Sequence, residues 1–486
     1  MIWTILLLFN GILFFYFMSN RTRSKREPPL DKGVIPWLGH ALDFGKDAAK
    51  FLTRMKLKHG DIFTVRVAGR YVTVLLDPHS YDSVLQDTTS LDFTHYAQVL
   101  MDRIFNLRLP NHKPDSEKAI MKRHFHGESL SCLNHNMQNH LQTLLMFETT
   151  ATQNQTDWKH DGLFGFCYSL LFRAGYLTLF GGEQNNNCTD AAKVYKEYQK
   201  FDSLLIKMAR TTLKSGEKQT AGSVKQRLWE LLAQAGQREN SSLWLQSYRQ
   251  HLEQEGADEE TQRKAMLLQL WATQGNVGPA AFWLLAFLLT HPEAMRAVRK
   301  EFNSITLSGT TTLDPQKHTP VFNSALEETL RLTAAPFITR EVLQNKTLHM
   351  ADGQEYDLRR GDRVCLFPFI SPQMDPEIHH KPEQFKYDRF LNADGTAKED
   401  FFKSGRRLKY YTMPWGAGTN ACVGKPFAVQ SIRQFVFLVL SHLNIELSDS
   451  EAQVPAVDAS RYGFGMVQPI KELPIRYKLR ERSNLQ

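Results

Sequence analysis

The chain has 486 residues, with 59 Lys and Arg against 51 Asp and Glu, a formal net charge of +8, and 42% hydrophobic residues. It can bury a large core, which excludes disordered and collagen-like chains, and a mean hydropathy of −0.39 excludes a polytopic membrane protein. The bases are interspersed with acids, and no basic stripe or aromatic sheet motif accompanies them, so a nucleic-acid partner is not expected. Diffuse positive charge of this kind suits an anionic membrane surface. The five cysteines, Cys132, Cys167, Cys188, Cys365 and Cys422, are odd in number and widely spaced, with no C-x-x-C. That pattern argues against a disulfide scaffold or a zinc cluster and for a reducing compartment.

Residues 2–18 form a nearly unbroken apolar run, just long enough to cross ~30 Å of hydrocarbon at ~1.5 Å per residue. Arg21, Arg23, Lys25 and Arg26 follow it. A cleaved signal peptide would carry its bases before the run. The positive-inside rule therefore keeps everything after Arg21 in the cytosol. Pro28, Pro29, Gly33 and Pro36 then stiffen a hinge. The expected division is a membrane anchor over 1–20, a basic and proline-rich hinge over 21–36, and one large domain over 37–486.

Along that domain an amphipathic helix is expected over 47–59, ending at Gly60. A β-hairpin follows, with strands 62–67 and 71–76 around Ala68-Gly69-Arg70. The pattern from 80 to 300 is almost wholly helical, with polar breaks at 108–116, 181–190 and 211–223. Residues 266–289 resemble a second membrane span, but Gln269, Gln274 and Asn276 at their centre, with Gly275, Gly278 and Pro279, favour a distorted helix in a soluble core. That distortion fits a bulky ligand or a ligand-free kink equally well. A helix is expected over 322–332 and strands over 337–342 and 364–369. The aperiodic stretch 371–418 is too long to be an idle loop.

The segment W-G-A-G-T-N-A-C-V-G at 415–424 precedes an apolar-periodic helix over 426–443. A cysteine just before a helix start meets amide N–H groups and the positive end of the dipole, which favour its thiolate. A lone cysteine can equally be an inert core residue. Gly418 and Gly424 would let the backbone approach a planar ligand. Glu328 and Arg331 stand at i and i+3 on one helix face, and Arg389, in F-K-Y-D-R-F at 385–390, can complete a buried charge triad with them.

Together these motifs resemble the haem-thiolate superfamily, the cytochromes P-450, over essentially the whole chain. The resemblance implies a mainly α fold with small β-sheets, a single large catalytic domain behind an N-terminal anchor. It implies haem b with Cys422 as the axial thiolate ligand, and Glu328, Arg331 and Arg389 as a structural triad. Arg340 matches an arginine that meets a haem propionate. Lys122 is expected to do the same, although the usual tryptophan four positions earlier is Lys118 here.

Three departures bear on chemistry. Trp415 replaces a phenylalanine seven residues before the cysteine, and Asn420 replaces an arginine or histidine two before it. Both are expected beside the haem. In the central helix, aligned on Gly275, Val277 and Gly278 occupy the positions of an acid–alcohol pair that relays protons to bound O₂. Without that relay, a substrate already containing an O–O bond is favoured. The segments L-Q-L-W-A-T-Q-G-N, G-P-A-A-F-W-L-L and L-R-L-T-A-A-P-F-I-T-R-E-V resemble the endoperoxide isomerases of the superfamily. They imply a haem-dependent isomerase of a lipid endoperoxide that needs no O₂, NADPH or obligatory reductase. Asn276 would then orient the bound oxygen, while Trp271 either lines the pocket or packs in the core. The alternatives are a sterol 12α-hydroxylase-like monooxygenase of the same branch and a membrane-anchored haem sensor. The expected setting is the endoplasmic reticulum membrane, single-pass, with a monomeric body on the cytosolic face.

Overall fold

The structure, a computed structural model, describes residues 22–109, 114–150, 158–182, 189–236, 238, 240–307 and 319–480, together with 3, 4, 10 and 11. The expected anchor over 1–20 lies almost wholly outside the described residues. The described residues are mainly helical with four small sheets.

Helix Ala48–His59 starts where the Asp47 side chain accepts the Lys50 N–H at 2.9 Å and stops at Gly60, φ +87°. Strands Ile62–Val67 and Arg70–Leu75 pair antiparallel, with Val67 opposite Arg70. The two turn residues, Ala68 and Gly69, both have positive φ, which matches the twist of the strands. A Cβ at Gly69 would lie 2.4 Å from the Trp37 indole nitrogen, so the turn packs directly on that ring. The hairpin joins a six-stranded sheet through Val72 opposite Arg363, where strand Arg363–Leu366 runs parallel to it. Strand Ile338–Val342 lies beyond.

Among the described residues, one helix, Leu163–Phe180, is long and apolar enough to cross a membrane, with a mean hydropathy of 1.4. It is apolar all round because it is packed all round, against helices Gly127–Thr150 and Val277–Thr290. The expected polar break at 211–223 is shorter than the sequence suggests, since helix Ser215–Gly236 begins inside it. The Glu217 carboxylate accepts the Lys214 N–H at 2.9 Å and pairs with Lys207, which gives this polar segment a helix start.

The segment 266–289 is two helices, Glu259–Gln274 and Val277–Thr290, broken at Gly275 and Asn276. Residue 279 is proline, so the Gly275 carbonyl loses its ordinary i+4 donor. The Tyr168 hydroxyl donates to it instead, at 3.4 Å. Gly278 makes room for that tyrosine: a Cβ there would come within 2.4 Å of its ring. The helix Pro320–Thr333 and the helix Lys425–His442 flank the same region. The aperiodic stretch 371–418 consists mostly of turns, stapled by an aromatic cluster of His379, Phe390, Phe401 and Tyr411.

Candidate active site

A cavity of about 410 Å³ opens between the cysteine loop and the helix break. Trp415, Gly416, Asn420 and Cys422 form one wall, and Thr273, Asn276, Val277 and Ala280 belong to another. The Cys422 side chain is open to this space. Its N–H donates to the Trp415 carbonyl at 2.9 Å, which closes the loop. The Gly424 and Lys425 N–H groups face the sulfur, but burial outweighs them and pushes the thiol up. The amide groups of the helix start therefore favour the thiolate, as expected from sequence, and they act against the opposing effect of desolvation.

The glycines divide differently from expectation. Gly416 lines the cavity with φ +66°. Gly424 lines it as expected, whereas Gly418 does not: a Cβ there would press on the Leu85 carbonyl at 3.1 Å.

Arg340 is 3% exposed and lines the cavity. Its Nη1 donates to the Thr339 carbonyl at 3.0 Å, and its Nη2 has no partner. The Trp415 indole N–H is buried and equally unspent. The Asn420 side-chain oxygen accepts from Lys118 Nζ at 2.7 Å. Lys122, one helical turn further along Pro114–His124, is exposed, and neither it nor Lys118 lines the cavity. Trp271 likewise stays out of the cavity lining and packs on Phe105, with ring centroids 5.8 Å apart.

Asn276 lines the cavity, and its Oδ1 accepts the Met466 N–H at 3.0 Å. Thr273 also lines it, but its hydroxyl donates to the Gln269 carbonyl at 2.7 Å. Sequence reading passed over Thr273 and Met466, neither of which belongs to a local motif.

Behind the cysteine loop the structure brings Glu328, Arg331 and Arg389 together. Glu328 and Arg331 are 0% exposed. Arg331 pairs with both Glu328 oxygens, at 2.7 and 2.9 Å, and Arg389 Nε with one of them at 2.8 Å. The Lys386 N–H reaches the other at 3.0 Å.

These residues fit a haem. A thiol faces an apolar cavity, and two buried donors with no protein partner suit the carboxylates at the edge of such a ring. A family model for cytochrome P-450 matches residues 28–475. Prostacyclin synthase of Homo sapiens is 55% identical over 479 residues, covering 94% of this chain and 95% of that protein. Prostacyclin synthase of Rattus norvegicus is 54% identical over 477 residues, with the same shares of each chain. The 7-alpha-hydroxycholest-4-en-3-one 12-alpha-hydroxylase of Homo sapiens is 41% identical over 472 residues, 94% of each. A family-model match over nearly the whole length, with the cysteine loop in place at its cavity, makes this chain a member of the cytochrome P-450 family and a haem-thiolate protein.

Proposed function

We propose that the protein converts prostaglandin H₂ into prostacyclin, without O₂, NADPH or an obligatory reductase. The observation that carries this reading is the helix break. The segment after Asn276 is Val277, Gly278 and Pro279, with no acid and no hydroxyl to relay protons to bound O₂. Thr273 is spent on a backbone carbonyl, which leaves the Asn276 NH₂ as the side-chain donor of this helix wall. The identity with the human and rat prostacyclin synthases supports the same substrate class.

In this reading Cys422 would hold the haem through its thiolate. Arg340 and Trp415 supply unspent donors for its carboxylates, and Asn420 stands beside them with Lys118. Bound there, thiolate-ligated haem supplies an electron-rich iron that favours O–O cleavage. Asn276 donates to a substrate oxygen and orients it. Val277, Ala280 and Phe337 keep the site dry, so that one donor counts for more than it would in water. One peroxide oxygen becomes the ring ether and the other a hydroxyl. The hydrogen lost in forming the enol ether balances the one the hydroxyl gains, so nothing enters or leaves. Glu328, Arg331 and Arg389 act as structural supports of the cysteine loop.

The test is an anaerobic incubation of the purified holoenzyme with prostaglandin H₂, following the stable hydrolysis product by mass spectrometry. Product without reductase supports the reading. No product, but sterol hydroxylation once reductase and NADPH are added, would favour the second reading, a 12α-hydroxylase-like monooxygenase, which rests on the 41% identity above.

Residues 1–20 are in this reading a single anchor in the endoplasmic reticulum membrane, 21–36 a hinge, and 37–486 a monomeric catalytic body facing the cytosol. Protease added to intact microsomes digests that body, whereas full protection would reverse the topology.

A further inference from the structure

The loop 461–468 reaches the same cavity as Asn276, and its backbone is held from several sides. The Ala335 N–H donates to the Gly465 carbonyl at 2.9 Å, and the Val467 N–H to the Thr333 carbonyl at 3.0 Å. The Trp283 indole N–H donates to the Val467 carbonyl at 2.8 Å, from the very helix that Asn276 begins. At the loop ends Arg461 pairs with the buried Asp202 at 2.6 Å, and Gln468 donates to the same carboxylate at 2.9 Å. Between these anchors the Met466 N–H donates to Asn276 Oδ1. An N–H can only donate, so this bond decides which end of the carboxamide is oxygen and leaves the NH₂ hydrogens for the cavity. Gly465, with φ +94°, stands against the same oxygen, and a Cβ there would come within 2.5 Å of it.

We propose that Gly465 and the Met466 N–H form a clamp that positions the Asn276 carboxamide, with the Trp283 indole holding the clamp to the helix. The N–H sets the orientation of the amide, and the missing side chain at 465 gives it room. The proposal rests on the reading of Asn276 as the donor to a substrate oxygen. Gly465, Met466 and Trp283 are positioning residues: they act through Asn276.

A double-mutant cycle on the holoenzyme separates this from a general structural role. The probes are turnover of prostaglandin H₂ and binding of a stable analogue with carbon in place of one peroxide oxygen, read as a Soret shift. Gly465→Ala should slow turnover and weaken analogue binding ~10-fold, and in an Asn276→Ala background less than about threefold, because no amide is left to displace. The carbon monoxide band should stay in place. Alanine at a positive φ also strains the loop, so Trp283→Phe provides a second variant. It removes one donor without changing φ, and should cost about threefold alone and nothing beside Asn276→Ala. Equal losses in both backgrounds would overturn the clamp. So would an Asn276→Ala enzyme that is slow while Gly465→Ala and Trp283→Phe remain as fast as the parent. If Asn276→Ala is itself as fast as the parent, the donor role of Asn276 fails and the clamp fails with it.

Discussion

Two polar clusters flank the cysteine loop, and they treat their hydrogen bonds in opposite ways. The Glu328 carboxylate takes four bonds, from Arg331 twice, Arg389 and the Lys386 N–H. Arg389 spends its remaining donors on the His380 and Gln384 carbonyls. On the cavity side Asn276 spends only its oxygen, Arg340 leaves Nη2 over, and the Trp415 indole leaves its one donor over. A saturated cluster holds the fold and nothing else, because it has no capacity left for a ligand. Buried capacity left unspent costs stability in the empty protein, and it is tolerable where a ligand collects it.

The sharpest test of that contrast is Cys422→Ala. It should abolish turnover and the red-shifted Soret band of the reduced carbon monoxide complex, while the saturated cluster keeps the apoprotein folded by circular dichroism. Glu328→Gln should do the reverse. It leaves two arginines facing a neutral amide and should cost ~3–5 kcal/mol in denaturant unfolding, with haem lost as a consequence. Asn276→Ala should leave the haem bound and the fold intact by circular dichroism, and slow isomerisation by 10- to 100-fold, on the scale of ~1–3 kcal/mol for one donor in a dry site.

The smallest expected effect belongs to His379, which is 1% exposed and bonded to the Tyr411 carbonyl at 2.9 Å. Burial, then the nearby Arg331 charge, holds its pKa at about 3 against an ordinary 6.5. The unfolded chain takes a proton there as pH drops below 6.5 and the folded one does not. Stability is therefore full above that pH and falls progressively toward pH 3. Between pH 7 and 5.5 the loss should be roughly 1 kcal/mol, read from denaturant midpoints. His379→Gln should flatten that slope, and an unchanged slope would assign it to other groups.

What the sequence made legible was local. The hairpin, the helix carrying Glu328 and Arg331, and the cysteine loop are written in spacings of a few residues, and their positions agree to within a residue or two. The break at Gly275 was visible because glycine and proline act on their own backbone. What escaped depends on contacts between distant segments. That Lys118 meets Asn420 depends on which side of its helix faces the cysteine loop, and Trp271 against Phe105 is decided by packing. The amide of Met466, which holds Asn276, has no sequence signature at all, since any residue but proline supplies an N–H.

The six-stranded sheet also has a consequence for the chain as it leaves the ribosome. Strand Arg70–Leu75 is made early, yet its parallel neighbour Arg363–Leu366 comes from the last part of the chain. Glu328 and Arg331 are likewise synthesised before Lys386 and Arg389 exist to complete their bonds. The usual order, in which N-terminal units fold first during synthesis, is therefore unavailable here. The emerging protein must carry an unpaired strand edge and a half-built charge cluster until translation is nearly finished. Premature termination before residue 389 should thus yield a substrate for chaperones and proteases rather than a smaller enzyme.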